Sequence, residues 1–166
     1  LTPEWIISKT GIKRRFHLSD DETASSMAIE ASKNAITNSG IDVKDIGLVI
    51  VASFSQDYLF PPMSAKIHSH FGLVKDCQIL DVNTNCVGLV TALTIASERM
   101  KNDMSIKNAL VIGAEVLSKF TNPKDKETAV FFSDGASAVV LGRVGDDKGF
   151  ISAKFMTDSS TYESVR

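Results

Sequence analysis

The sequence predicts an α/β layered domain in which helices cover a mixed sheet of five strands. Two continuous apolar runs, IGLVIVAS at residues 46–53 and NALVIGA at residues 108–114, are rich in β-branched side chains and indicate strands buried on both faces. Helical patterns alternate with these strands along the chain. Two further arms, ASAVVLGRV and FISAKFM, flank the turn GDDKG and indicate a terminal antiparallel hairpin. This order of elements is typical of a sheet between two layers of helices.

The first predicted helix covers residues 22–39. Ser19, Asp20 or Asp21 can cap its amino end, and Gly40 follows as a carboxyl-terminal stop. Its apolar positions are Met27, Ile29, Ala31, Ala35 and Ile36. This helix leads into the first buried strand.

Between the two buried strands the sequence predicts a helix, a short strand and a second helix. The first of these helices lies in MSAKIHSHFG and ends at Gly72, and the strand is CQILDV at residues 77–82. From Cys86 to about Asn102, apolar side chains lie nearly all round a helix until its charged last turn. We expect such a helix to be central in the fold.

The last predicted strand is the second arm of the hairpin. Ile151, Ala153 and Phe155 alternate there with Ser152 and Lys154, which predicts one buried face. No internal repeat, low-complexity stretch or linker interrupts the sequence, so a single domain is predicted.

The composition is that of one globular domain with a sizeable core. Of the 166 residues, 43% are hydrophobic and 23% charged. Eighteen basic and twenty acidic residues give a net charge of -2 without long blocks of one sign, so no footprint for nucleic acid or an anionic membrane is present. No apolar stretch reaches the length of a membrane helix, and the amino end lacks the pattern of a signal peptide. We therefore expect a cytoplasmic protein.

The cysteines and histidines do not indicate a metal site or a disulfide. Cys77 and Cys86 are the two thiols of a cytosolic-looking chain, in which reduced thiols are expected. The three histidines, His17, His68 and His70, have no zinc-binding spacing with them, and none lies in a motif with a catalytic partner.

Cys86 is the residue that points to chemistry. The signatures G-x-G-x-x-G, Walker A, G-x-S-x-G and H-E-x-x-H are absent from the sequence. Cys86 lies where a buried helix follows a strand, and the free amides and dipole of a helix amino end favour a thiolate and can hold an oxyanion. Position alone leaves a second interpretation open, in which Cys86 is a small core residue and Asn83, Thr84 or Asn85 is an ordinary cap.

Five segments, in order and at similar spacing, carry a family resemblance. They are EWIISKTGIKRR, VASFSQDYLFPPMSAKIHSHFGL, DVNTNCVGLVTAL, ALVIGAEVLS and DKETAVFFSDGASAVVL. Together they resemble the amino-terminal half of β-ketoacyl-acyl-carrier-protein synthase III, a thiolase-fold condensing enzyme of fatty-acid biosynthesis. The resemblance implies that residues 1–166 are an amino-terminal thiolase-like domain of a longer protein. The histidine and asparagine that assist decarboxylation in the family would then lie in the missing carboxy-terminal half.

The resemblance also implies a mechanism and partners. Cys86 would take an acyl group from a coenzyme A thioester, and a malonyl thioester on acyl carrier protein would then decarboxylate and attack the acyl-cysteine. A thiolate suits this chemistry because it both attacks and leaves readily. The family implies a homodimer, acyl-CoA and acyl carrier protein as partners, and no permanently bound cofactor.

Four more residues match substrate-binding positions of the family. Trp5 matches an aromatic residue that packs on the adenine of coenzyme A, and Phe60 matches a phenylalanine that lines the partner's acyl pocket. Lys9 and Lys126 stand where arginines are usual at the coenzyme A mouth; they keep the charge but lose the planar fork. The alternatives are an anchoring tryptophan at Trp5 and a core aromatic at Phe60.

Departures from the family pattern keep other functions open. Thr84 and Asn85 replace smaller residues before the cysteine, which predicts a narrower or redirected acyl pocket. One alternative is a secondary-metabolism acyltransferase that transfers acyl groups to a hydroxyl or amine without decarboxylation. Another is a non-catalytic interaction subunit in which Cys86 is buried. Because half of a layered fold leaves an apolar face uncovered, the isolated segment is expected to dimerise or to be poorly soluble.

Overall fold

A mixed sheet forms the centre of the computed structural model, which describes residues 2–126, 128–145 and 147–164. Its four described strands are β1 (Ile46–Ala52), β2 (Gln78–Val82), β3 (Asn108–Val116) and β4 (Asp134–Gly142). They lie in the order β2-β1-β3-β4. β1 is parallel to β2 and β3, whereas β4 is antiparallel to β3. The prediction of an α/β fold with a mixed sheet is confirmed.

The fifth predicted strand is wrong. Residues 150–159 form no strand, and the Ile151 side chain is 96% exposed instead of buried. A strand needs a neighbour that accepts and donates its backbone hydrogen bonds, and among the described residues this arm has none. Alternation in sequence reports a face that can be buried, but not whether a partner is present. Asp146, in the turn between the two arms, lies outside the described residues.

The described part of the chain contains four α-helices. They are α1 (Pro3–Thr10), α2 (Ala24–Ser39), α3 (Met63–Phe71) and α4 (Gly88–Asn102). α1 was not predicted, although it begins with a Thr2 cap and ends at Gly11. None of these helices has the length and apolar character needed to span a lipid bilayer.

The residue that caps the amino end of α2 is not one of the residues predicted for this role. The Thr23 hydroxyl, rather than a side chain of Ser19, Asp20 or Asp21, accepts the hydrogen bond from the Ser26 backbone N–H, and the Ser26 hydroxyl oxygen accepts one from the Thr23 backbone N–H. This reciprocal pair satisfies two amides of the first turn. Gly40 ends the helix in a left-handed conformation with φ of 70°, as predicted.

The core has two parts, one on each face of the sheet. α2 and α3 cover the first face, where Ile29, Val49 and Leu110 are buried. α4 covers the second face through Ala92 and Ala96, which pack against β1 and β3. The other side of α4 is open, with Val90 62% exposed, so α4 is buried on one side only within the described chain.

Candidate active site

Cys86 lies in a single 3₁₀ turn, Asn85–Val87, between β2 and α4. Its thiol is free and exposed, which differs from the interpretation of Cys86 as a buried core residue. The predicted caps are also wrong: no side chain accepts from the first amides of α4, and the Thr84 hydroxyl instead donates to Thr91 Oγ1 at 3.1 Å. Cys86 therefore precedes a helix end whose amides are not used by a side-chain cap.

Gly88 sets how closely this turn approaches the sheet. A Cβ atom at Gly88 would lie 3.1 Å from Cβ of Ala52, the last residue of β1. That separation is shorter than ordinary carbon–carbon contact, so a side chain here would push the start of α4 outward. The glycine thus allows α4, and with it the cysteine turn, to pack directly on the end of β1.

Asn85 has a backbone conformation that explains its residue type. Its φ is +50°, in the left-handed region that asparagine tolerates better than other residues with a Cβ atom. From the sequence, Asn85 was interpreted as a departure from the family pattern that alters the acyl pocket, and Asn85 does line the cavity beside Cys86. The backbone requirement is a separate reason for a polar residue at this position.

We expect Asn85→Ala to lower the free energy of unfolding of the full-length protein by about 1 kcal/mol, because alanine cannot relieve the left-handed strain. Asn85→Gly should be close to neutral, since glycine adopts this conformation freely. Thermal unfolding of both variants measures the difference. Asn38→Ala, at an exposed position on α2, serves as control. Equal destabilisation by glycine and alanine would show that the side chain, not the backbone, matters at residue 85.

A cavity of about 430 Å³ lies beside Cys86, a size suited to a small ligand. It opens where β1 and β3 end and β4 begins, at the edge of the sheet where α/β proteins usually bind ligands. Besides Asn85 and Cys86, its walls include Phe54, Leu89, Glu115, Leu117 and Ser137. The wall is mainly apolar, and Cys86 and Glu115 are its titratable side chains among the described lining residues.

Glu115 is a cavity residue that sequence analysis did not single out. Ser55 Oγ donates a hydrogen bond to Glu115 Oε2 at 2.5 Å, and the Phe54 backbone N–H donates to Oε1 at 3.2 Å. Burial raises the pKa of the Glu115 carboxyl, and these hydrogen bonds offset only part of that rise. The sequence signal that could have identified Glu115 is a charged residue near the end of an otherwise apolar strand.

Asp134, in the DGA motif at the start of β4, joins three segments. Its carboxylate accepts hydrogen bonds from the Leu18 N–H at 2.8 Å, the Ser118 N–H at 2.8 Å and the Ser118 hydroxyl at 2.5 Å. Burial favours a raised pKa for Asp134, but the hydrogen bonds from Ser118 and Leu18 outweigh it and hold the pKa below its usual value. The motif is therefore explained by tertiary hydrogen bonding beside the cavity.

The four predicted substrate-binding residues lie away from the cavity wall. Trp5, 43% exposed, and Lys9 lie four residues apart on α1 and so share one face of it. Lys126 is exposed in the segment before β4. Phe60 is 84% exposed, so its interpretation as a core aromatic is wrong. None of the four is among the described residues that line the cavity beside Cys86.

Phe60 lies at the exposed tip of a loop that is held in place at Asp57, just before the tip. Asp57 accepts a hydrogen bond from the Ser25 N–H at 3.2 Å and forms an ion pair with Lys66 at 3.4 Å. Burial opposes ionisation of Asp57, but its bonds to Ser25 and Lys66 lower its pKa overall. The exposed tip, residues 58–60, thus extends from an anchored base.

Metal-ligating side chains do not converge in the described part of the chain, where no group of three or more His, Cys, Asp or Glu could hold an ion. The mixed sheet between helices is that of the thiolase-fold class of proteins. Comparison with known proteins narrows the class. A family model for 3-oxoacyl-acyl-carrier-protein synthase III matches residues 80–159.

The relatives agree with this match. The chain is 43% identical over 155 residues to β-ketoacyl-acyl-carrier-protein synthase III 1 of Vibrio parahaemolyticus, covering 93% of the chain and 48% of that protein. It resembles the crystal structure of synthase III from Thermus thermophilus with a TM-score of 0.90 and 32% identity, covering 98% of the chain and 50% of that one. The priming β-ketosynthase of the R1128 polyketide pathway is similar with a TM-score of 0.82 and 30% identity, covering 87% of the chain and 42% of that one.

These similarities confirm the resemblance to β-ketoacyl-acyl-carrier-protein synthase III and the thiolase-like fold. The chain spans about half the length of the curated relatives it matches, 48% of the Vibrio parahaemolyticus protein and 49% of a relative from Enterobacter.

Proposed function

We propose that the full-length protein is a β-ketoacyl-acyl-carrier-protein synthase III that starts fatty-acid biosynthesis, with Cys86 as its acyl-accepting nucleophile. The observation that carries the proposal is the exposed Cys86 thiol at the uncapped amino end of α4, beside a cavity of about 430 Å³. An exposed thiol is accessible to a thioester, and the cavity can hold an acyl group while the thiol reacts.

In the first step the Cys86 thiolate attacks the carbonyl carbon of acyl-CoA. A new carbon–sulfur bond forms, and collapse of the tetrahedral intermediate breaks the bond to coenzyme A, which leaves as a thiolate and takes up a proton. The amides at the amino end of α4, which no side chain caps, can stabilise the oxyanion of this intermediate. The product is an acyl thioester on Cys86 with the chain in the adjacent cavity.

The second step needs residues outside this chain. Malonyl-acyl carrier protein would lose carbon dioxide, and the resulting carbanion would attack the acyl-Cys86 carbonyl and release the thiolate. We place the assisting histidine and asparagine in a carboxy-terminal half, with residues 1–166 as the amino-terminal domain. The open side of α4 supports this arrangement, because an exposed apolar face such as that around Val90 is normally covered.

Substrate and partner contacts follow from the exposed residues. Trp5 and Lys9, on one face of α1, suit stacking on the adenine of coenzyme A and pairing with its phosphates, and Lys126 adds positive charge. Phe60, exposed on its anchored loop, supports a homodimer in which it enters the partner's acyl pocket. We propose a cytoplasmic enzyme without a permanently bound cofactor.

The test is acylation of the full-length protein by acyl-CoA, followed by peptide mass spectrometry. After cleavage before Asp81, which separates the two cysteines, the Cys86 peptide should gain the mass of the acyl group, whereas the peptide that contains the buried Cys77 should not. Adding malonyl-acyl carrier protein should then release carbon dioxide and the condensed product. An unmodified Cys86 peptide under turnover conditions contradicts the proposal.

A second candidate is an acyltransferase of secondary metabolism, favoured by the polar Asn85 in the cavity wall. Such an enzyme would acylate Cys86 but pass the acyl group to a hydroxyl or amine, so malonyl-acyl carrier protein would release no carbon dioxide. A non-catalytic subunit would instead show iodoacetamide labelling of Cys86 no faster than that of a model thiol.

A further inference from the structure

We infer that Glu115 is a positioning residue that holds Phe54 in the wall of the acyl cavity and so determines which acyl chain lengths Cys86 accepts. The inference rests on the proposed function, because it treats the cavity beside Cys86 as the site of the acyl chain. Glu115 is neither the expected nucleophile nor one of the expected coenzyme A contacts.

The Glu115 carboxylate binds two consecutive residues of the loop that follows β1. The Phe54 N–H donates to both carboxylate oxygens, at 3.2 and 3.4 Å, and the Ser55 hydroxyl donates to Oε2 at 2.5 Å. Hydrogen bonds to an ionised carboxylate are about twice as strong as those between neutral groups. Glu115 therefore holds the backbone N–H of Phe54 and the side-chain hydroxyl of Ser55.

The same loop is tied to the sheet at both ends. Ser55 Oγ accepts a hydrogen bond from the Val116 N–H at 2.7 Å, which closes a ring of contacts with the end of β3. At the other end, the Ser53 N–H donates to Val82 O at 3.1 Å, at the end of β2. Ser53 and Ser55 are both buried. Residues 53–55 thus cross the end of β1 from β2 to β3, and the Glu115 side chain accepts hydrogen bonds from Phe54 and Ser55.

Phe54 and Glu115 both line the cavity that contains Cys86. An acyl chain that extends from Cys86 meets the Phe54 ring if the loop is fixed, and finds more space if the loop is released. The carboxylate also limits an alkyl chain directly, because covering a charge with apolar atoms costs solvation free energy. The burial that raises the pKa of Glu115 is consistent with such a partly desolvated carboxyl group.

The experiment compares four variants of the full-length protein: Glu115→Ala, Glu115→Gln, Ser55→Ala and the matched control Glu98→Gln. Glu98 is an exposed carboxylate on α4, so the control removes one charge away from the cavity. Rates of Cys86 acylation are measured with acetyl-CoA and octanoyl-CoA, and the ratio of the two kcat/KM values is the readout. This ratio does not depend on the fraction of active protein, so a purely structural loss leaves it unchanged.

Glu115→Ala should change the ratio by about tenfold in favour of the longer chain, the size expected when a pocket wall is altered. Ser55→Ala should move the ratio in the same direction by about threefold, because the Phe54 N–H still donates to the Glu115 carboxylate. Glu115→Gln keeps an acceptor oxygen and should retain most of the discrimination, and Glu98→Gln should match the wild-type protein.

Distinct outcomes separate the inference from the proposed function. If the wild-type protein is acylated but Glu115→Ala leaves the ratio unchanged, the inference is wrong and the function stands. If neither thioester acylates the wild-type protein, both are wrong. If Glu115→Ala does not fold, the ratio for Ser55→Ala decides, and an unchanged ratio there also overturns the inference.

Discussion

Replacing Cys86 by alanine in the full-length protein is expected to lower acyl transfer from acyl-CoA by at least about a thousandfold, the loss typical of removing a covalent nucleophile. Without the thiol no acyl-enzyme forms, and Cys86→Ser should fail almost as completely because a hydroxyl is a much weaker nucleophile at neutral pH. Release of coenzyme A, followed with a thiol reagent, measures the rate, and the mass of the residue 86 peptide reports the intermediate.

Cys77 provides the matched control for this experiment. It is only 8% exposed, and burial, with a smaller contribution from Asp76, raises the pKa of its thiol to about 11. Cys77→Ala should therefore keep wild-type acylation. Acyl transfer that survives in Cys86→Ala, or disappears in Cys77→Ala, would assign the chemistry to a different group.

The second large effect is expected on stability, from Asp134→Ala. This change removes three hydrogen bonds to a 7% exposed carboxylate and leaves two backbone N–H donors, of Leu18 and Ser118, without that acceptor. Unsatisfied donors and lost bonds to a charged group together should lower the free energy of unfolding by about 3 kcal/mol. Chemical denaturation of the full-length protein measures the loss. Asp20→Asn, at an exposed position, should change it by less than about 0.5 kcal/mol.

The contribution of Asp134 should depend on pH in one direction. Its pKa in the folded protein is below its usual value, so the folded state binds the proton less tightly than the unfolded state. The stabilisation is thus complete above the unfolded pKa of about 3.9 and is lost as pH falls through the folded pKa. The stability gap between the wild-type protein and Asp134→Asn should shrink below about pH 4. A gap that stays constant from pH 7 to pH 3 would contradict this assignment.

Local patterns in the sequence were sufficient for the elements that bury a face. β1 was predicted at 46–53 and β3 at 108–114, and both were found within two residues because their continuous apolar runs have few other interpretations. The hairpin arm at 150–156 failed for the opposite reason: its burial depends on a partner that alternation cannot report. α1 was missed because its signals are its end residues, and none of its residues is buried.

The candidate site was predictable only where one residue's position was enough. Cys86 could be predicted from its position at the junction of a strand and a helix. Glu115, in contrast, binds Phe54 and Ser55, which precede it in the sequence by 61 and 60 positions. Asp134 likewise contacts Leu18 across 116 positions. Such contacts form only when the strands are assembled, so a single sequence shows the charged residue but not its task.

The close contact between Gly88 and Ala52 has a consequence for protein engineering. The start of α4 rests on the last residue of β1 with no room for another methyl group, so the strand acts as a stop for the nucleophile turn. A residue larger than alanine at position 52 would displace the start of α4, and with it the turn that carries Cys86, without altering any residue of the turn itself. Chain-length preference could thereby be redesigned from the sheet, at a residue that no catalytic motif contains.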